Sequence, residues 1–258
     1  MVRFKQTRLQ RILEAVRDNG QVAVAELSRG CGVSEVTIRR DLRELAAQGL
    51  LHRAHGGARL TAPASTEPPV IQRMGDQHAC KECIGRAAAA LVEDGESVFI
   101  GSGSTTAYVA RHLAGRQRLH VVTNALNVAM ELASAEGVTV VVTGGMLRPS
   151  ELSLVGHITE QALREVRVDK VIIGIPGVSL QEGLTNDYLP EVMTDRAVIS
   201  MAPELILVAD HTKFGKVASA YVAPLDRVNT LVTDSGIDPG FQAGLEQQGI
   251  RVIVAGSE

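Results

Sequence analysis

The stretch that decides the fold of the amino-terminal part is VSEVTIRRDLREL, residues 33–45. It opens with Ser34, a residue type that caps helices well. Three apolar residues share one side of a helix at about 100° per residue, namely Ile38, Leu42 and Leu45. Four side chains fall on the opposite side, namely Val36, Arg39, Arg40 and Arg43. The pattern predicts a helix from Ser34 to about Gln48 that packs on one face and projects cations from the other.

The segments around this helix complete a small module of helices and a hairpin. TRLQRILEAVRD, residues 7–18, places four apolar residues on one face, namely Leu9, Ile12, Leu13 and Val16. A short second helix over residues 24–30 points Leu27 inward, and Gly30-Cys31-Gly32 makes a turn. LLHRAHGGARL, residues 50–60, has two short runs around Gly56-Gly57, which predicts a hairpin with a two-residue turn. Three helices and a hairpin of this kind indicate a winged helix-turn-helix.

Charge separates this module from the rest of the chain. Residues 1–60 contain 11 Lys and Arg against 6 Asp and Glu, whereas residues 61–258 contain 15 against 23. A basic head on an acidic body is typical of a phosphate-binding domain joined to a core of another kind. The predicted DNA-binding residues are Ser34, Glu35, Thr37, Arg39, Arg40, Arg43, Arg53 and His55. The competing interpretation is a solvated helix face whose arginines pair with Asp41 and Glu44.

Composition excludes several other classes of protein. Hydrophobic residues make up 45% of the 258, which is enough for a sizeable core, but aromatic residues make up only 3% and argue against a base-stacking platform. Three cysteines do not form a disulfide framework. No apolar run is long enough to span a membrane, and the first residues do not resemble a signal peptide. We therefore expect a cytoplasmic protein with no membrane partner.

A change in composition marks the boundary of a second domain. TAPASTEPP, residues 61–69, opens a predicted linker over residues 61–75, between a DNA-binding domain over 1–60 and an α/β domain over 76–258. HACKECIGRAAAALVEDG predicts a helix that ends at Gly95. Seven short apolar runs follow without polar alternation, over residues 97–101, 119–123, 138–143, 170–174, 205–209, 230–233 and 251–254. They predict a mostly parallel, Rossmann-like sheet that is buried on both faces and flanked by helices.

Polar and glycine-rich segments follow these predicted strands. GSGSTT, residues 101–106, follows the first run and leads into a helix at Ala107. Other strands are followed by Thr123-Asn124, by Gly144-Gly145 with Arg148 close behind, and by ADHTKFGK with Asp210 and Lys213. Ligands of open α/β sheets bind outside the carboxyl ends of the strands, where glycines admit an anion to backbone N–H groups. The GSGSTT loop is neither a P-loop nor a GxGxxG fingerprint, so the prediction rests on several strand ends together.

The sequence resembles the DeoR family of bacterial regulators over nearly its whole length. RLQRILEAV followed by SEVTIRRDL is similar to the family's DNA-binding signature, and RAHGGA to its wing. One departure is Ala23-Val24 at the start of the second helix, where a Ser or Thr cap is expected and its loss costs about 1 kcal/mol. VDKVIIGIPGVSLQEGLT, PEVMTDRAVI and VADHTKFG are similar to its sensor domain.

The resemblance implies both a fold and a function. The sensor domain is expected to be related to ribose-5-phosphate isomerases, glucosamine-6-phosphate deaminases and CoA transferases, and to bind a phosphorylated sugar or a related metabolite. The GSGSTT loop would hold the phosphate. The effector-binding residues so implied are Gly101, Gly103, Ser104, Thr105, Thr106, Thr123, Asn124, Gly145, Glu191 and Lys213. The expected protein is a repressor of a carbohydrate catabolic operon that binds double-stranded operator DNA as a homodimer or homotetramer.

Other chemistry in the sequence is weaker. A sugar-phosphate isomerase or deaminase is the alternative, with Asp210 or Glu191 as a general base and Lys213 for polarisation. Cys80 and Cys83 form a single C-x-x-C inside a predicted helix, without the second pair that a structural zinc site needs. We therefore expect helix packing for these cysteines, and neither a cofactor nor a metal.

Overall fold

The chain divides into two compact units, Met1–Ala64, here called the head, and Ser65–Glu258, here called the body. The structure, a computed structural model, describes residues 8–256 except 10, 14, 17–20, 48–50, 55–56, 60–67 and 202. At residues 21, 47, 52–54 and 58–59 it describes the backbone alone. Within this described part of the chain, no helix is long and apolar enough to cross a membrane.

The head is a winged helix-turn-helix, as predicted. Residues 8, 9, 11–13, 15 and 16 are helical, and five further elements follow: β1 (Gln21–Ala23), α1 (Val24–Cys31), α2 (Glu35–Ala47), β2 (His52–Ala54) and β3 (Gly57–Arg59). The three strands form an antiparallel sheet in the order β1-β3-β2. The buried core of the head includes all the apolar positions predicted to face inward on α1 and α2, namely Leu27, Ile38, Leu42 and Leu45.

The limits of the head helices follow from local hydrogen bonds. The Ser34 hydroxyl oxygen accepts the Thr37 backbone N–H at 3.3 Å, so Ser34 caps α2 as predicted. Helix α1 has no side-chain cap at Ala23, which confirms the departure seen in the sequence. It continues through Cys31, one residue beyond the predicted end, and Gly32 ends it in the left-handed conformation.

Gly57 lies in β3 and not in the wing turn, where the sequence predicts it. Ala54 pairs with Gly57, so Gly57 belongs to β3 and residues 55 and 56 connect the strands. Gly57 also faces Ala23 of β1. A Cβ atom there would lie 2.3 Å from the Val22 carbonyl oxygen, so close approach of β1, rather than a turn, requires this glycine.

The close contact between Gly57 and β1 predicts how a substitution at Gly57 changes the stability of the head. Gly57→Ala is expected to destabilise the head by about 1–3 kcal/mol, because the added methyl group must push β1 away. Gly30→Ala is the matched control, since a Cβ there meets nothing within 4 Å and alanine favours the helix by up to about 1 kcal/mol. Native-state hydrogen exchange of head amides measures both variants. Equal protection in the two variants would contradict the prediction.

The body alternates strands and helices. Its first half contains α3 (Val70–Arg73), α4 (His78–Ala89), β4 (Ser97–Ile100), α5 (Ser104–Leu113), β5 (Leu119–Thr123), α6 (Leu126–Leu132), β6 (Val138–Val142), β7 (Met146–Arg148), β8 (Ser153–Val155) and α7 (His157–Glu165). Its second half contains β9 (Lys170–Ile173), β10 (Gly177–Ser179), β11 (Gly183–Asn186), α8 (Leu189–Met201), β12 (Glu204–Val208), β13 (Ala220–Ala223), β14 (Thr230–Asp234), α9 (Pro239–Gln247) and β15 (Arg251–Ala255). Short 3-10 turns cover His211–Lys213 and Leu225–Arg227.

All seven predicted strands join one parallel sheet, in the order β15-β14-β12-β9-β4-β5-β6. The chain moves outward from β4 to β6 and then returns to place β9 on the other side of β4. Successive residues of a strand contribute alternately to two hydrophobic cores. In β9, Val171 and Ile173 belong to the core that contains Leu163 of α7, whereas Ile172 belongs to the core that contains Ile84 of α4. The fold class predicted from the sequence, a winged head and a parallel α/β body, is therefore confirmed.

Several details of the body differ from the sequence predictions. Strand β6 lies at the sheet edge and exposes Val141 and Val142, so burial on both faces is wrong for that strand. Helix α4 ends at Ala89 rather than at Gly95, and α5 begins at Ser104 rather than at Ala107. Five short strands were not predicted and form two smaller sheets, namely β7, β8, β10, β11 and β13.

Candidate nucleic-acid interface and ligand cavity

Helix α2 presents a cationic face. Arg39, Arg40 and Arg43 are all exposed, whereas Ile38 and Leu42 on the opposite side are buried. Arg39 pairs with Glu35, one turn earlier, at 3.1 Å. Exposed pairs of this kind contribute little to stability, so a phosphate competes with Glu35 at small cost.

The competing interpretation, in which Asp41 pairs with the arginines of its own helix, is wrong for Asp41. Asp41 is buried and accepts a hydrogen bond from Arg8 Nε at 2.6 Å, which ties α2 to the first helical segment. Arg40 and Arg43 form no ion pair with any residue that the structure describes. Their charge is therefore available to an external anion.

The amino-terminal turn of α2 carries further candidate contacts. Ser34 and Glu35 are exposed, and Thr37 is partly exposed with its Oγ1 3.0 Å from Ser34 Oγ. Val36 is 77% exposed, which is unusual for an apolar side chain and was not among the predicted contacts. An apolar group at this position suits contact with a thymine methyl group. His55 and the side chain of Arg53, both predicted contacts, lie outside the described residues.

The body has two adjoining cavities at the switch point of the sheet. The loops that follow β4 and β9 are adjacent there, because the chain order reverses between these two strands. Residues from both loops line a narrow inner cavity, including Ser102, Gly103, Gly174 and Pro176. An outer cavity of about 470 Å³ adjoins it and shares Arg73, Ser104, Pro176 and Lys213 with it. Its volume lies within the range of about 300–1,000 Å³ that is typical of small-molecule sites.

The inner cavity contains a helix terminus suited to an anion. Gly103 precedes α5 with φ near 142°, a conformation that favours glycine, and its carbonyl oxygen accepts bonds from Thr106 Oγ1 and Asn127 Nδ2. No side chain caps the first turn of α5, where Ser104 and Thr105 line the cavity. Unused backbone N–H groups at a helix start bind anions, and Lys213 adds a positive charge at the same cavity.

Glu191 lies at the centre of a buried polar network that lines the same cavity, and Ser102 Oγ of the GSGSTT loop donates to Glu191 Oε1 at 3.4 Å. It forms an ion pair with Arg148, and Ser153 Oγ donates to Glu191 Oε1 at 2.8 Å. The Arg148 guanidinium lies over the Tyr188 ring, 4.3 Å from its centroid. The family resemblance implies Glu191 as an effector contact, and a glutamate on a helix can also pair with an arginine of the same helix, such as Arg196. Arg196 instead donates to the backbone carbonyls of Val222 and Tyr221.

Burial shifts the pKa values of three groups that line the cavities. Burial raises the pKa of Glu151, which pairs with Arg73. Burial and the neighbouring Glu191 raise the pKa of Asp195 well above its ordinary value. Burial lowers the pKa of Lys81, whose Nζ donates to the Arg73 and Asp76 carbonyls. Burial therefore disfavours the charged form of each of these three groups.

Asp195 gives a prediction about pH. The pKa of Asp195 is raised in the folded body, so ionised Asp195 lowers the free energy of unfolding above the folded-state pKa. This loss of stability disappears as the pH falls below the pKa of an aspartate in the unfolded chain, about 3.9. Asp195→Asn is therefore expected to stabilise the body at pH 7, since the asparagine amide has no ionised form. Urea unfolding at several pH values is the measurement, and the gain should shrink on acidification.

Asp169→Asn is a control for which the opposite change in stability is expected. Hydrogen bonds from the hydroxyl and backbone N–H of Ser97 lower the pKa of Asp169, so its ionised form stabilises the folded body at neutral pH. Asp169→Asn should therefore lose stability at pH 7, and the loss should diminish as the pH falls below the ordinary carboxyl range. A loss of stability in Asp195→Asn at pH 7 would contradict our account of that group.

The structure brings only part of the predicted effector set to the cavities. Five predicted residues line the inner cavity, namely Gly103, Ser104, Thr105, Glu191 and Lys213. Gly101 and Asn124 line a small neighbouring void. Thr106 is fully buried against Gly103, and Thr123 Oγ1 donates to the Ile100 carbonyl. Gly145 packs against Thr159 and the Val155 carbonyl, where any Cβ would clash. These last three positions shape the loops and line neither cavity.

Several cavity residues have no clear signal in the sequence. Arg73 belongs to the four-residue helix α3, and Glu151 and Asn186 lie near the short unpredicted strands. The sequence marks Arg148 only by its position shortly after Gly144-Gly145. These residues are recognisable as a group because buried charges need partners of opposite sign. The pairs Arg73–Glu151 and Arg148–Glu191 form only in the folded body, so the sequence alone does not reveal them.

Comparison with known proteins agrees with both halves of this geometry. A model of the DeoR-like helix-turn-helix domain matches residues 8–64, and a model of the DeoR C terminal sensor domain matches residues 76–235. The chain is 34% identical over 252 residues to a putative aga operon transcriptional repressor of Escherichia coli O157:H7, covering 96% of this chain and 93% of that protein. It is 38% identical over 233 residues to the glycerol-3-phosphate regulon repressor of Escherichia coli K12, covering 90% and 92%.

Among solved structures, ribose 5-phosphate isomerase A from Neisseria gonorrhoeae is a distant neighbour. The match covers 52% of each chain with 20% identity and a TM-score of 0.39.

Proposed function

The chain belongs to the DeoR family of DNA-binding transcriptional regulators, and from this premise we propose that it represses a carbohydrate catabolic operon under the control of a phosphorylated sugar or related metabolite. Family membership makes it a regulator rather than a sugar-phosphate isomerase or deaminase. The named relatives, repressors of the aga operon and the glycerol-3-phosphate regulon, support the class of operon.

The observation that carries the proposal is the cationic face of α2. Arg40 and Arg43 are exposed and unpaired among the described residues, on a helix whose other face packs into the head. In this proposal the arginines contact phosphates and base edges, and Arg53 and His55 of the wing contact the adjacent backbone. Ser34, Glu35, Val36 and Thr37 read bases at the amino-terminal end of the helix.

The effector binds at the switch point of the body. Its phosphate is held by the first turn of α5, at Ser104 and Thr105, and by Lys213. Its hydroxyl groups are contacted by the network around Glu191 and Arg148, which lines the same cavity. A cavity that combines a helix start and a lysine with buried carboxylates suits a ligand with both a phosphate and several hydroxyl groups.

The remaining parts of the proposal concern assembly and control. A single head reads a short half-site, so a homodimer or homotetramer binds a symmetric operator. An effector that shifts the chain between states of different operator affinity needs a coupling of about 1–3 kcal/mol. A regulator of chromosomal operators acts in the cytoplasm.

Transcription in the host organism tests repression directly. Deletion of the gene should raise the messenger RNA of the neighbouring carbohydrate operon, and the wild-type gene supplied in trans should restore the low level. A gene encoding the Arg40→Gln, Arg43→Gln chain should fail to restore it, although the protein accumulates normally. A fall in that messenger RNA on deletion, or no change at any neighbouring operon, would overturn the proposal that the chain is a repressor.

A further inference from the structure

Three potential metal ligands converge in the body at a place that the DNA-binding and effector roles do not use. Cys80 comes from α4, His211 from the 3-10 turn after β12, and Asp234 from the end of β14. One ligand atom from each lies within 4.8 Å of the other two. The fold thus assembles a thiol, an imidazole and a carboxylate from segments far apart in the sequence.

The histidine and the aspartate are held rigidly. Asp234 Oδ2 lies 2.8 Å from His211 Nδ1, and Asp234 Oδ1 accepts the His211 backbone N–H at 2.7 Å. Gly236 donates its N–H to Asp234 Oδ2 at 3.0 Å. A Cβ at Gly236 would lie 2.6 Å from the His211 ring, so glycine at this position leaves the space that the ring occupies.

We propose that Cys80, His211 and Asp234 bind a divalent transition metal ion of the zinc type, with a fourth position open to water. Sulfur, imidazole nitrogen and carboxylate oxygen are the ligands that zinc takes in proteins, and three protein ligands with an open position are a known arrangement. With metal–ligand bonds of about 2.0–2.3 Å, two ligand atoms of a tetrahedral ion lie about 3.3–3.7 Å apart. The thiol sulfur therefore needs to approach the other two atoms by about 1 Å, while His211 Nδ1 and Asp234 Oδ2, now 2.8 Å apart, exchange their hydrogen bond for the ion and move slightly apart. The His211 side chain is 35% exposed, which gives an ion a route into the site.

A covalent role for the thiol fits the same cluster less well. Burial and the nearby Asp234 raise the pKa of Cys80, whereas reactive cysteines have a lowered pKa and a positive environment. A metal ion displaces the thiol proton and neutralises Asp234, so it suits this combination of groups.

Metal binding would also affect the neighbouring cavities. His211 begins the three-residue turn that contains Lys213, and Lys213 lines both cavities. An ion that joins α4 to this turn would hold Lys213 in place. This consequence rests on the proposed function, whereas the metal site itself does not.

Cobalt(II) titration of the full-length chain, with any polyhistidine tag removed, tests the site. We expect one ion per chain and a thiolate-to-cobalt absorption band, which zinc should displace. Cys80→Ser should abolish the band. Cys83→Ala, one turn along the same helix, should retain it. His211→Gln should weaken binding at least as much as the loss of an outer-shell partner does, about 10–100-fold.

Two controls distinguish loss of the metal site from misfolding of the variant. Each variant must keep the wild-type thermal midpoint and DNA affinity, which shows that it is folded. Lack of stoichiometric cobalt binding by the wild-type chain, or a thiolate band that survives Cys80→Ser, would overturn the metal site. Neither result would bear on the effector, whose binding is measured separately with a sugar phosphate in metal-free buffer.

Discussion

Replacing both Arg40 and Arg43 with glutamine is expected to weaken operator binding about a hundredfold at physiological salt, within the range of about 1–3 kcal/mol per specific contact. Both side chains project from the exposed face of α2 and form no ion pair with the described residues. Each arginine that neutralises a phosphate contributes about 0.9 to the slope of log affinity against log salt. The slope should therefore become shallower by up to about 2 if both contacts are to phosphates.

Fluorescence anisotropy of labelled operator DNA at several salt concentrations measures both quantities. The matched control is Arg164→Gln with Arg251→Gln, which removes the same charge from two exposed positions of the body. This control should bind with nearly wild-type affinity. Equal weakening in the two double variants would mean that net charge, and not the face of α2, determines binding.

Lys213→Ala is expected to raise the concentration of sugar phosphate needed for half of the response about 10–100-fold. The reason is the loss of one charge-assisted hydrogen bond, worth about 1.5–3 kcal/mol, to the phosphate. Lys213 lines both cavities beside the first turn of α5. DNA binding without effector should be unchanged, because the substitution lies in the body.

The control for this variant is Lys170→Ala. Lys170 begins β9, at the end of the sheet away from the cavities, and pairs with Glu96. Calorimetric titration with the responsive sugar phosphate should separate the two variants. If Lys213→Ala keeps the wild-type affinity for the effector, Lys213 does not contact the effector. If Lys213→Ala loses operator binding, the substitution disturbs more than the cavity.

The head was predictable because its signals are local. Helical spacing and a serine cap in residues 34–45 define α2, and both act within a few residues of each other. Gly57 was wrongly placed in the wing turn because it serves a contact with Val22 that is distant in sequence. Likewise, Asp41 has a partner in Arg8, 33 residues earlier, which helix periodicity does not reveal.

The body was predictable as a set of strands but not as a site. Apolar runs identify strands, yet β6 is as apolar as the central strands and lies at the edge of the sheet. The GSGSTT loop and Lys213 could be proposed from the sequence because they follow strands, and Gly103, Ser104, Thr105 and Lys213 line the inner cavity. The pairs Arg73–Glu151 and Arg148–Glu191, and the cluster of Cys80 with His211 and Asp234, join distant segments and became apparent only in three dimensions.

The central claim is that a phosphorylated ligand of the body controls DNA binding by the head. Anisotropy of the chain's own labelled upstream DNA tests it most directly, with glycerol 3-phosphate, ribose 5-phosphate and glucosamine 6-phosphate as probes among a wider panel of sugar phosphates. We predict salt-sensitive, sequence-selective binding whose affinity changes about 5–150-fold with at least one compound. Selective DNA binding that no compound of the panel alters would contradict the claim for the body, and binding without sequence selectivity would contradict it for the head.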